Sequence, residues 1–484
     1  MRRVSYISIK RITMTLDRTY TTKKEAPKFK RAKKNDVQQI ESAAMDKLTN
    51  VKLSHEQQKL KDKIIGFTRK QLIRYNAKKT TEHSPGFFAI HGDAGTGKSV
   101  VLNSLFNDFE RLSTENEDHN DVFVGTKNYL VVNHPEMLKL YIRICKQFKY
   151  IKRSSLERPT SLINKLLKDN TLVDIIVVDE AHLLATSKDP FKKFYGDNHM
   201  VELLALTKVL IVVYDPKQSL RMGCYWDGKL KNGSDISVIE NIVPEARRYH
   251  ERLEKQFRVA APPDVLNWIK TISEDAKIPD FPKSMKEDYV ETNDKNNNKD
   301  SVKYDFKIWN DCGEMYEALK LKNEEFGQCR VLCTYDFPYR LDGKDYFVEC
   351  GKNFRVRWDR YQPRAALPWS ERADSIDEVG SVYTIQGFDL NYAAVILGRS
   401  IGYDSVNDCL KIKPELYDDR AGFTKKKNIL NPDTVKVQII LNSLNVLLTR
   451  GVKGLYIYAY DPILRKRLNK SMLEDESISF DETS

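Results

Sequence analysis

The order of apolar and polar stretches along this chain predicts an α/β fold. An apolar run at 87–90 has the character of a buried strand, and residues 101–109 carry apolar side chains at helical spacing behind it. Three further apolar runs, at 129–133, 172–178 and 209–214, follow at the spacing of alternating strands and helices. We therefore predict a first, parallel sheet in the N-terminal half of the chain.

The final third of the chain predicts a second sheet. Apolar runs at 330–334, 393–397 and 455–459 have the composition of buried strands. Before the last of them, apolar residues between 437 and 448 fall on one helical face, and the pattern stops at Thr449-Arg450-Gly451. Arg450 is therefore expected at a helix end, from which it can project outward.

The turn after the first predicted strand carries a complete G-x-x-x-x-G-K-S phosphate-binding loop. Its glycines allow backbone amides to close around phosphate oxygens, and the following helix N-terminus adds a positive dipole end. Lys98 can reach the terminal phosphates, and the Ser99 hydroxyl can ligate magnesium. The loop predicts nucleotide binding, and its residues are Gly92, Asp93, Ala94, Gly95, Thr96, Gly97, Lys98 and Ser99.

Acidic and amide side chains follow the next strands of the predicted sheet. The run at 172–178 leads into Asp179-Glu180-Ala181-His182, at the strand edge where open α/β sheets bind ligands. We predict that Asp179 holds magnesium, directly or through water, and that Glu180 orients and deprotonates the attacking water. Gln218 follows the run at 209–214; its Asp-Pro-Lys-Gln segment alone is merely a turn, but in such a sheet Gln218 is a candidate sensor of the γ-phosphate.

Gln57 has two interpretations. Ser54 and Gln57 have the spacing of a capping box, which predicts a helix running through residue 64. The amide of Gln57 could instead match an adenine edge, because it offers both a donor and an acceptor. On these residues alone the capping role is favoured.

Composition limits the function classes. With 484 residues the chain should form two or three globular units, and no apolar run approaches the roughly 18 residues of a membrane span. The seven cysteines are scattered without a paired C-x-x-C motif, so we expect reduced thiols and no zinc site. No nuclease constellation is visible. These features predict a cytoplasmic protein without a membrane partner. Because no apolar core follows the N-terminal arginines, we expect no signal peptide.

Positive charge is concentrated at the N-terminus. Residues 1–34 contain twelve Lys and Arg against Asp17 and Glu25, a net charge of +10, which leaves +2 of the total +12 for the rest of the chain. This arm could contact nucleic-acid phosphates, or it could be a solvated tail, and the residues favour neither. Met14 is an alternative start.

These patterns give a domain plan with two sheet domains and polar ends. A nucleotide held between two domains suits a motor, because loss of the γ-phosphate can change how they close. Arg258 and Arg450 both follow the first sheet and are candidates for contacting that phosphate, although singly each is more often a surface ion pair. The predicted segments are a disordered basic arm at 1–48, an ATP-binding domain at 49–245, a second domain at 246–470 with a polar insertion near 285–301, and an acidic tail at 471–484.

From about residue 53 to 461 the chain resembles superfamily 1 helicases, and more closely the Schlafen-type DNA/RNA helicase family. The segments most specific to that family are Gln256-Phe257-Arg258, residues 379–392 and residues 446–454. The resemblance implies two RecA-like P-loop NTPase domains, each a mainly parallel sheet flanked by helices. It also implies ATP and Mg²⁺ in the cleft between them, with a nucleic-acid strand across their surface.

The resemblance further implies roles for individual residues. Gln57 would read adenine, Gln218 would couple the γ-phosphate to the strand, and Thr384 with Gln386 would link strand and nucleotide. Gly387 and Asp389 would lie near the nucleotide, with Asp389 where the superfamily commonly has a glutamate beside the ribose. Asn133-His134-Pro135 falls where the first strand-contacting motif is expected.

We therefore predict a nucleic-acid-dependent ATPase that translocates along single-stranded DNA or RNA as a helicase or translocase. The alternative is an ATP-dependent clamp on nucleic acid or protein, with slow hydrolysis as a timer and no unwinding. About eighty residues separate the phosphate-binding loop from the acidic strand end, which leaves little room for an inserted subdomain. A nuclease or defence-system partner is expected by family analogy alone.

Overall fold

A computed structural model gives the structure of much of this chain. The predicted basic arm lies outside the described residues, as do residues 286–303 around the polar insertion and residues 474–484 of the acidic tail. Among the described residues, no helix combines the length and the apolar character that a membrane crossing requires. The structure describes residues 52–77, 83–92, 95–226, 229–230, 233–234, 239, 242–253, 259–285, 304–340, 342–359, 365, 367–424 and 429–473.

The N-terminal half of the described chain forms a six-stranded sheet in which all neighbouring strands are parallel. The strands predicted at 129–133, 172–178 and 209–214 are all present in it, which confirms that part of the prediction. The helices and strands in chain order are α1 (His55–Ala77), β1 (Gly86–Gly92), α2 (Lys98–Thr114), β2 (Asn128–Val132), α3 (Pro135–Ile144), β3 (Leu156–Glu157), α4 (Pro159–Lys168), β4 (Val173–Asp179), α5 (His199–Ala205), β5 (Thr207–Tyr214), β6 (Lys229–Leu230), β7 (Gly233–Ser234) and β8 (Arg248–Leu253). Strands β6 and β7 pair only with each other, as a separate antiparallel hairpin.

The strand order of this sheet places the predicted functional segments next to one another. The order is β3-β2-β4-β5-β1-β8, so the carboxyl ends of β4, β5 and β1 are adjacent. Ile90 of β1 pairs with Val213 of β5, and Val178 of β4 pairs with Val212 of β5. The phosphate-binding loop after β1 therefore lies beside the acidic ends of the two neighbouring strands.

Seven of the nine strands described after β8 form a second sheet. All of its neighbouring strands are parallel except for one antiparallel hairpin at an edge. The three strands predicted in the final third are its central members, and the predicted helix ends at Leu448 as expected. The elements are α6 (Pro263–Glu274), β9 (Asp305–Ile308), α7 (Cys312–Phe326), β10 (Cys329–Cys333), β11 (Phe347–Cys350), β12 (Phe354–Trp358), β13 (Glu378–Gly380), α8 (Val382–Ile385), β14 (Leu390–Leu397), β15 (Ile401–Asp404), β16 (Cys409–Ile412), α9 (Pro432–Leu448), β17 (Gly451–Ala459) and α10 (Pro462–Leu473). The strand order of the second sheet is β11-β12-β13-β10-β14-β17-β9, and β15 and β16 pair with each other as a separate antiparallel hairpin.

Apolar side chains bury both faces of the first sheet. Phe88 belongs to a cluster that continues into the second sheet through residues such as Ile440 and Ile457. Its neighbour Phe87 points to the other face, where it packs with Leu162 and Leu204. This alternation follows from the two-residue period of a strand. One continuous buried cluster thus joins the two sheets.

The predicted boundary at residues 245/246 falls too early. Strand β8, at 248–253, pairs in parallel with β1 and completes the first sheet, although the domain plan assigned it to the second domain. Its sequence, Arg-Tyr-His-Glu-Arg-Leu, is mostly polar, and only Leu253 is buried. An edge strand has one strand neighbour and a solvated side, so it needs no apolar run that a sequence pattern could reveal.

Candidate functional site

The phosphate-binding loop has the backbone that its glycines predict. Gly95 and Gly97 have φ values of 85° and 77°, in the left-handed region that favours glycine. Gly97 is the residue before α2, and Thr96 beside it is buried. Asp93 and Ala94 of the predicted loop lie outside the described residues.

Gln57 makes the capping box and also reaches the loop. The Ser54 backbone amide donates to Gln57 Oε1 at 2.9 Å, and the Gln57 amide donates to Ser54 Oγ at 3.3 Å. The Gln57 side-chain Nε2 donates to the carbonyl of Thr96 at 3.4 Å. The favoured local role is therefore confirmed, and the same side chain lies against the phosphate-binding loop.

Lys98 is held at the end of β1 by two oxygen atoms. Its Nζ donates to the carbonyl of Gly92 at 2.6 Å and lies 3.9 Å from Oδ2 of Asp215. The side chain is nearly buried, so solvent screens this ion pair little. A phosphate in the loop would compete with these two oxygens for the ammonium group.

Ser99 and Asp179 meet as a pair of oxygen donors. Ser99 Oγ donates to Asp179 Oδ1 at 3.4 Å, and the hydroxyl of Tyr141 in α3 donates to Asp179 Oδ2 at 2.6 Å. Burial, together with the neighbouring Glu180 carboxylate, raises the pKa of Asp179 above its ordinary value. Hard oxygen ligands of this kind suit Mg²⁺, whose charge would keep the carboxylate ionised.

Glu180 is the first residue after β4 and has a strained backbone. Its φ of 53° lies in the left-handed region, which non-glycine residues rarely adopt outside functional sites and turns. Its Oε2 lies 3.1 Å from Nε2 of His182, and the Gln386 amide lies 3.1 Å from that same nitrogen. Burial lowers the pKa of His182 to about 4, so this imidazole is neutral near pH 7.

Gln218 lies between the two sheets. Its Nε2 donates to Asp215 Oδ2 at 2.6 Å, which joins it to the carboxylate beside Lys98. Its Oε1 accepts from Nη2 of Arg450 at 3.3 Å, and its backbone carbonyl accepts from Gln386 Nε2 at 3.1 Å. Gln218, which follows β5, thus accepts hydrogen bonds from two side chains on the second-sheet side of the chain, one through its side chain and one through its backbone carbonyl.

Arg450 does not project into solvent, which corrects the expectation from its helix-end position. It is fully buried, and its Nε and Nη1 donate to the carbonyls of Val446 and Phe388 at 2.7 and 3.2 Å. The helix end points at the first sheet, so the guanidinium is directed inward. Arg258, the other predicted arginine, lies outside the described residues.

The remaining predicted residues flank this network. Thr384 forms a reciprocal cap with Ser381, whose backbone amide donates to Thr384 Oγ1 at 2.9 Å. Gly387 has a φ of 86° and lies against Met137 of α3, where an added Cβ would come within 2.9 Å of the Met137 sulfur. Asp389 is half-buried directly before β14.

A cleft of about 580 Å³ opens between the two sheets beside this network. On the first-sheet side, Asn133 donates to the carbonyl of Leu183 at 2.6 Å, and His134 caps α3 by accepting from the Met137 amide at 3.3 Å. The cleft is lined from the first sheet by Asn133, His134, Arg158 and Phe191, and from the second by Tyr339, Trp369, Tyr383, Thr384 and Gln386.

A family model described as "Schlafen group 3, DNA/RNA helicase domain" matches residues 85–461, which is more than half of the chain and includes strands of both sheets. This chain belongs to the Schlafen group 3 DNA/RNA helicase domain family. The resemblance stated from its motifs is thereby confirmed. The match begins just before β1 and includes the loop, the acidic strand ends and Arg450 of this Schlafen helicase domain.

Other comparisons add one near relative and two weak structural likenesses. The chain is 61% identical over 430 residues to "Uncharacterized protein YPL245W" of Saccharomyces cerevisiae, covering 89% of this chain and 93% of that protein. It is similar to "The structure of PRRSV helicase" with 12% identity and a TM-score of 0.30, covering 82% of this chain and 55% of that one. A Pif1 helicase from Bacteroides, solved "in complex with ADP-AlF3 and ssDNA", has 9% identity and a TM-score of 0.30, covering 88% of this chain and 97% of that one. Likenesses at these scores are too weak to assign an activity.

Three side chains of this candidate site were not predicted from the sequence. The hydroxyl of Tyr141 in α3 donates to Asp179. In the sequence, Tyr141 looks like another buried apolar position of the helix, so its hydrogen bond is not predicted. Asp215 is paired with Lys98 and Gln218 although it looks like a turn residue. His182 lies two residues after Glu180, and this fixed spacing is the one sequence signal from which its contact with Glu180 could have been predicted.

Replacing Gly97 by alanine should destabilise the Schlafen helicase domain and weaken nucleotide binding. The left-handed backbone costs a residue with a Cβ about 1–2 kcal/mol, and that Cβ would also collide with Nε2 of Gln57. Urea unfolding and titration with a fluorescent ATP analogue measure the two effects.

Gly66 in α1 provides the matched control, because an added Cβ meets nothing within 4 Å there. Gly66→Ala should stabilise the folded state by about 0.5–1 kcal/mol, since alanine is favoured over glycine inside a helix. Wild-type unfolding and affinity in Gly97→Ala would contradict this account.

Proposed function

We propose that this Schlafen helicase domain is a nucleic-acid-dependent ATPase with two RecA-like domains that moves along single-stranded DNA or RNA. The observation that carries the proposal is the position of Gln218. It is bonded to Asp215 beside Lys98 on one side and to Arg450 on the other. A group so placed can report the state of a phosphate to the second sheet.

The first-sheet residues would bind Mg²⁺-ATP. The backbone of residues 95–99 would surround the phosphates, Lys98 would neutralise the terminal ones, and Gln57 would contact adenine. Ser99 and Asp179 would hold the metal, which when bound neutralises phosphate charge. Their 3.4 Å separation and their shared oxygen chemistry support this assignment.

Glu180 would take the proton of the attacking water. Its carboxylate lies beside a neutral His182, whose Nε2 can donate to Glu180 or accept from Gln386. One imidazole nitrogen cannot do both in a single tautomer. The contact of Glu180 with His182 would therefore be linked to the hydrogen bond between His182 and Gln386, which follows helix α8 in the second domain.

Nucleotide binding would be transmitted through Lys98. If the Lys98 ammonium moves onto a phosphate, Asp215 loses a cationic neighbour, and its bond to Gln218 is redistributed. Gln218 in turn contacts Arg450 and Gln386, so the two sheets would close or separate with the nucleotide state. The strand would lie in the cleft that Asn133, Thr384 and Gln386 line.

ATP hydrolysis measured with and without single-stranded DNA or RNA tests this function. A translocating motor should be strongly stimulated, because strand contact completes the site between the domains. Lys98→Ala should abolish both basal and stimulated hydrolysis, and stimulated hydrolysis that survives this change would refute the site. A slow rate that nucleic acid leaves unchanged would instead favour the clamp.

A further inference from the structure

Phe191 is the most exposed large apolar side chain in the described part of the chain, with 94% of its surface accessible. It lies in the loop between β4 and α5, within a short turn at Pro190–Lys192. An isolated exposed apolar residue needs no explanation by itself. The structure around Phe191 supplies two further observations.

The loop that carries Phe191 is fixed at its base. The backbone amides and carbonyls of Asp189 and Phe194 exchange two hydrogen bonds of 3.0 Å. Phe194 is buried, with its ring centroid 4.0 Å from that of His199. The loop therefore buries one phenylalanine as an anchor and holds the other, three residues earlier, out in solvent.

The exposed ring stands at the cleft between the sheets. Phe191 and Lys192 line the cleft together with Arg158, and Tyr339 lines it from the second sheet. The Lys192 side chain is 57% exposed, and its Nζ lies 3.8 Å from Asp189 Oδ2. An aromatic face beside exposed cations is the combination by which proteins bind single-stranded nucleic acids.

We propose that Phe191 stacks on an unpaired base of the strand that occupies this cleft, and so makes binding selective for single strands. This inference rests on the proposed function, because it needs a strand in the cleft. Bases of a duplex are covered by their neighbours, whereas an unpaired base can offer its face to a ring. Lys192 contacts the adjoining backbone phosphate, and Phe191 contacts the base.

Binding of a fluorescent single-stranded oligonucleotide to full-length variants tests the stacking. Phe191→Ala should weaken binding by about 5- to 150-fold, the range that loss of one base–aromatic stack produces. Phe191→Trp should retain affinity, while Phe191→Leu, which keeps an apolar side chain without a π-face, should lose most of it. Val406→Ala is the matched control, because Val406 is 89% exposed on the β15–β16 turn and does not line the cleft.

An abasic oligonucleotide of the same length separates stacking from charge. Phe191→Ala should bind this strand as wild type does, because there is no base to stack. Lys192→Gln should weaken binding to both strands and reduce the slope of log K against log salt by about 0.7, the value for one phosphate contact on a single strand.

The outcomes are distinguishable. If wild-type protein binds the normal strand and Phe191→Ala binds it equally well, the stacking proposal is wrong while the proposed function stands. If Phe191→Leu binds as tightly as wild type, the ring serves as an apolar surface, such as one for a protein partner, and stacking is again wrong. If wild-type protein binds no oligonucleotide, the proposed function and the stacking proposal both fail.

Discussion

Replacing Glu180 by glutamine is expected to lower the rate of ATP hydrolysis by about 10²- to 10⁴-fold, the usual contribution of a general base. Glutamine keeps the shape of the side chain and a polar contact to His182, 3.1 Å away, but it cannot accept the proton of the attacking water. Nucleotide affinity should be preserved, because Lys98 and the loop backbone remain. Single-turnover hydrolysis and titration with an ATP analogue give the two quantities separately.

Glu110 provides the matched control for that experiment. It is also a buried glutamate on the first-sheet side of the chain, hydrogen-bonded to Asn128 at 3.1 Å and Ser155 at 3.0 Å, and burial raises its pKa. Glu110→Gln should change stability with little effect on the hydrolysis rate. If both variants lose activity equally, or if Glu180→Gln hydrolyses ATP at the wild-type rate, Glu180 is not the base.

The second large effect is expected from Arg450→Lys, which should reduce kcat by about 10³- to 10⁵-fold if this arginine stabilises the charge of phosphoryl transfer. Lysine keeps the charge but not the planar group that donates to Val446, Phe388 and Gln218. The link between Gln218 and the second sheet would therefore be lost. Steady-state kinetics with saturating nucleic acid should show the change in kcat more than in KM.

Arg330→Lys is the matched control for Arg450→Lys, because Arg330 is also a buried arginine on the second-sheet side. It is 3% exposed, and its Nε donates to Ser375 Oγ at 2.6 Å. Its other hydrogen bonds go to Asn323, Cys329 and Arg372, which all lie on the second-sheet side of the chain. Arg330→Lys should lower the unfolding temperature without the large loss of turnover. A similar loss of kcat in both variants would mean that Arg450 acts through stability alone.

The phosphate-binding loop, the acidic end of β4 and the central strands were predictable because each is a contiguous piece of chain. Buried parallel strands read as apolar runs, and the loop requires glycine at positions such as Gly97, where φ is positive. The helix before Arg450 was also predicted to within a residue of its end. Local patterns of this kind do not depend on where distant segments lie.

The direction of Arg450 and the membership of β8 were not predictable from such patterns. A helix end can point to solvent or into an interface, and only the packing of the two sheets buries Arg450 against Gln218. Strand β8 carries mostly polar residues, and its pairing with β1 is decided by the free edge that β1 offers.

The sequence by itself determined the family, the phosphate-binding loop and the two sets of strands, because these follow from residue types at short, fixed spacings. Only the tertiary structure joined Lys98, Asp215, Gln218 and Arg450 into one chain of contacts. Those contacts span more than 350 residues of sequence and depend on strand order and on the buried cluster that unites the two sheets. Such long-range contacts leave no local pattern, because they join the start of one helix, a turn after β5 and the end of another helix, which are far apart in the sequence.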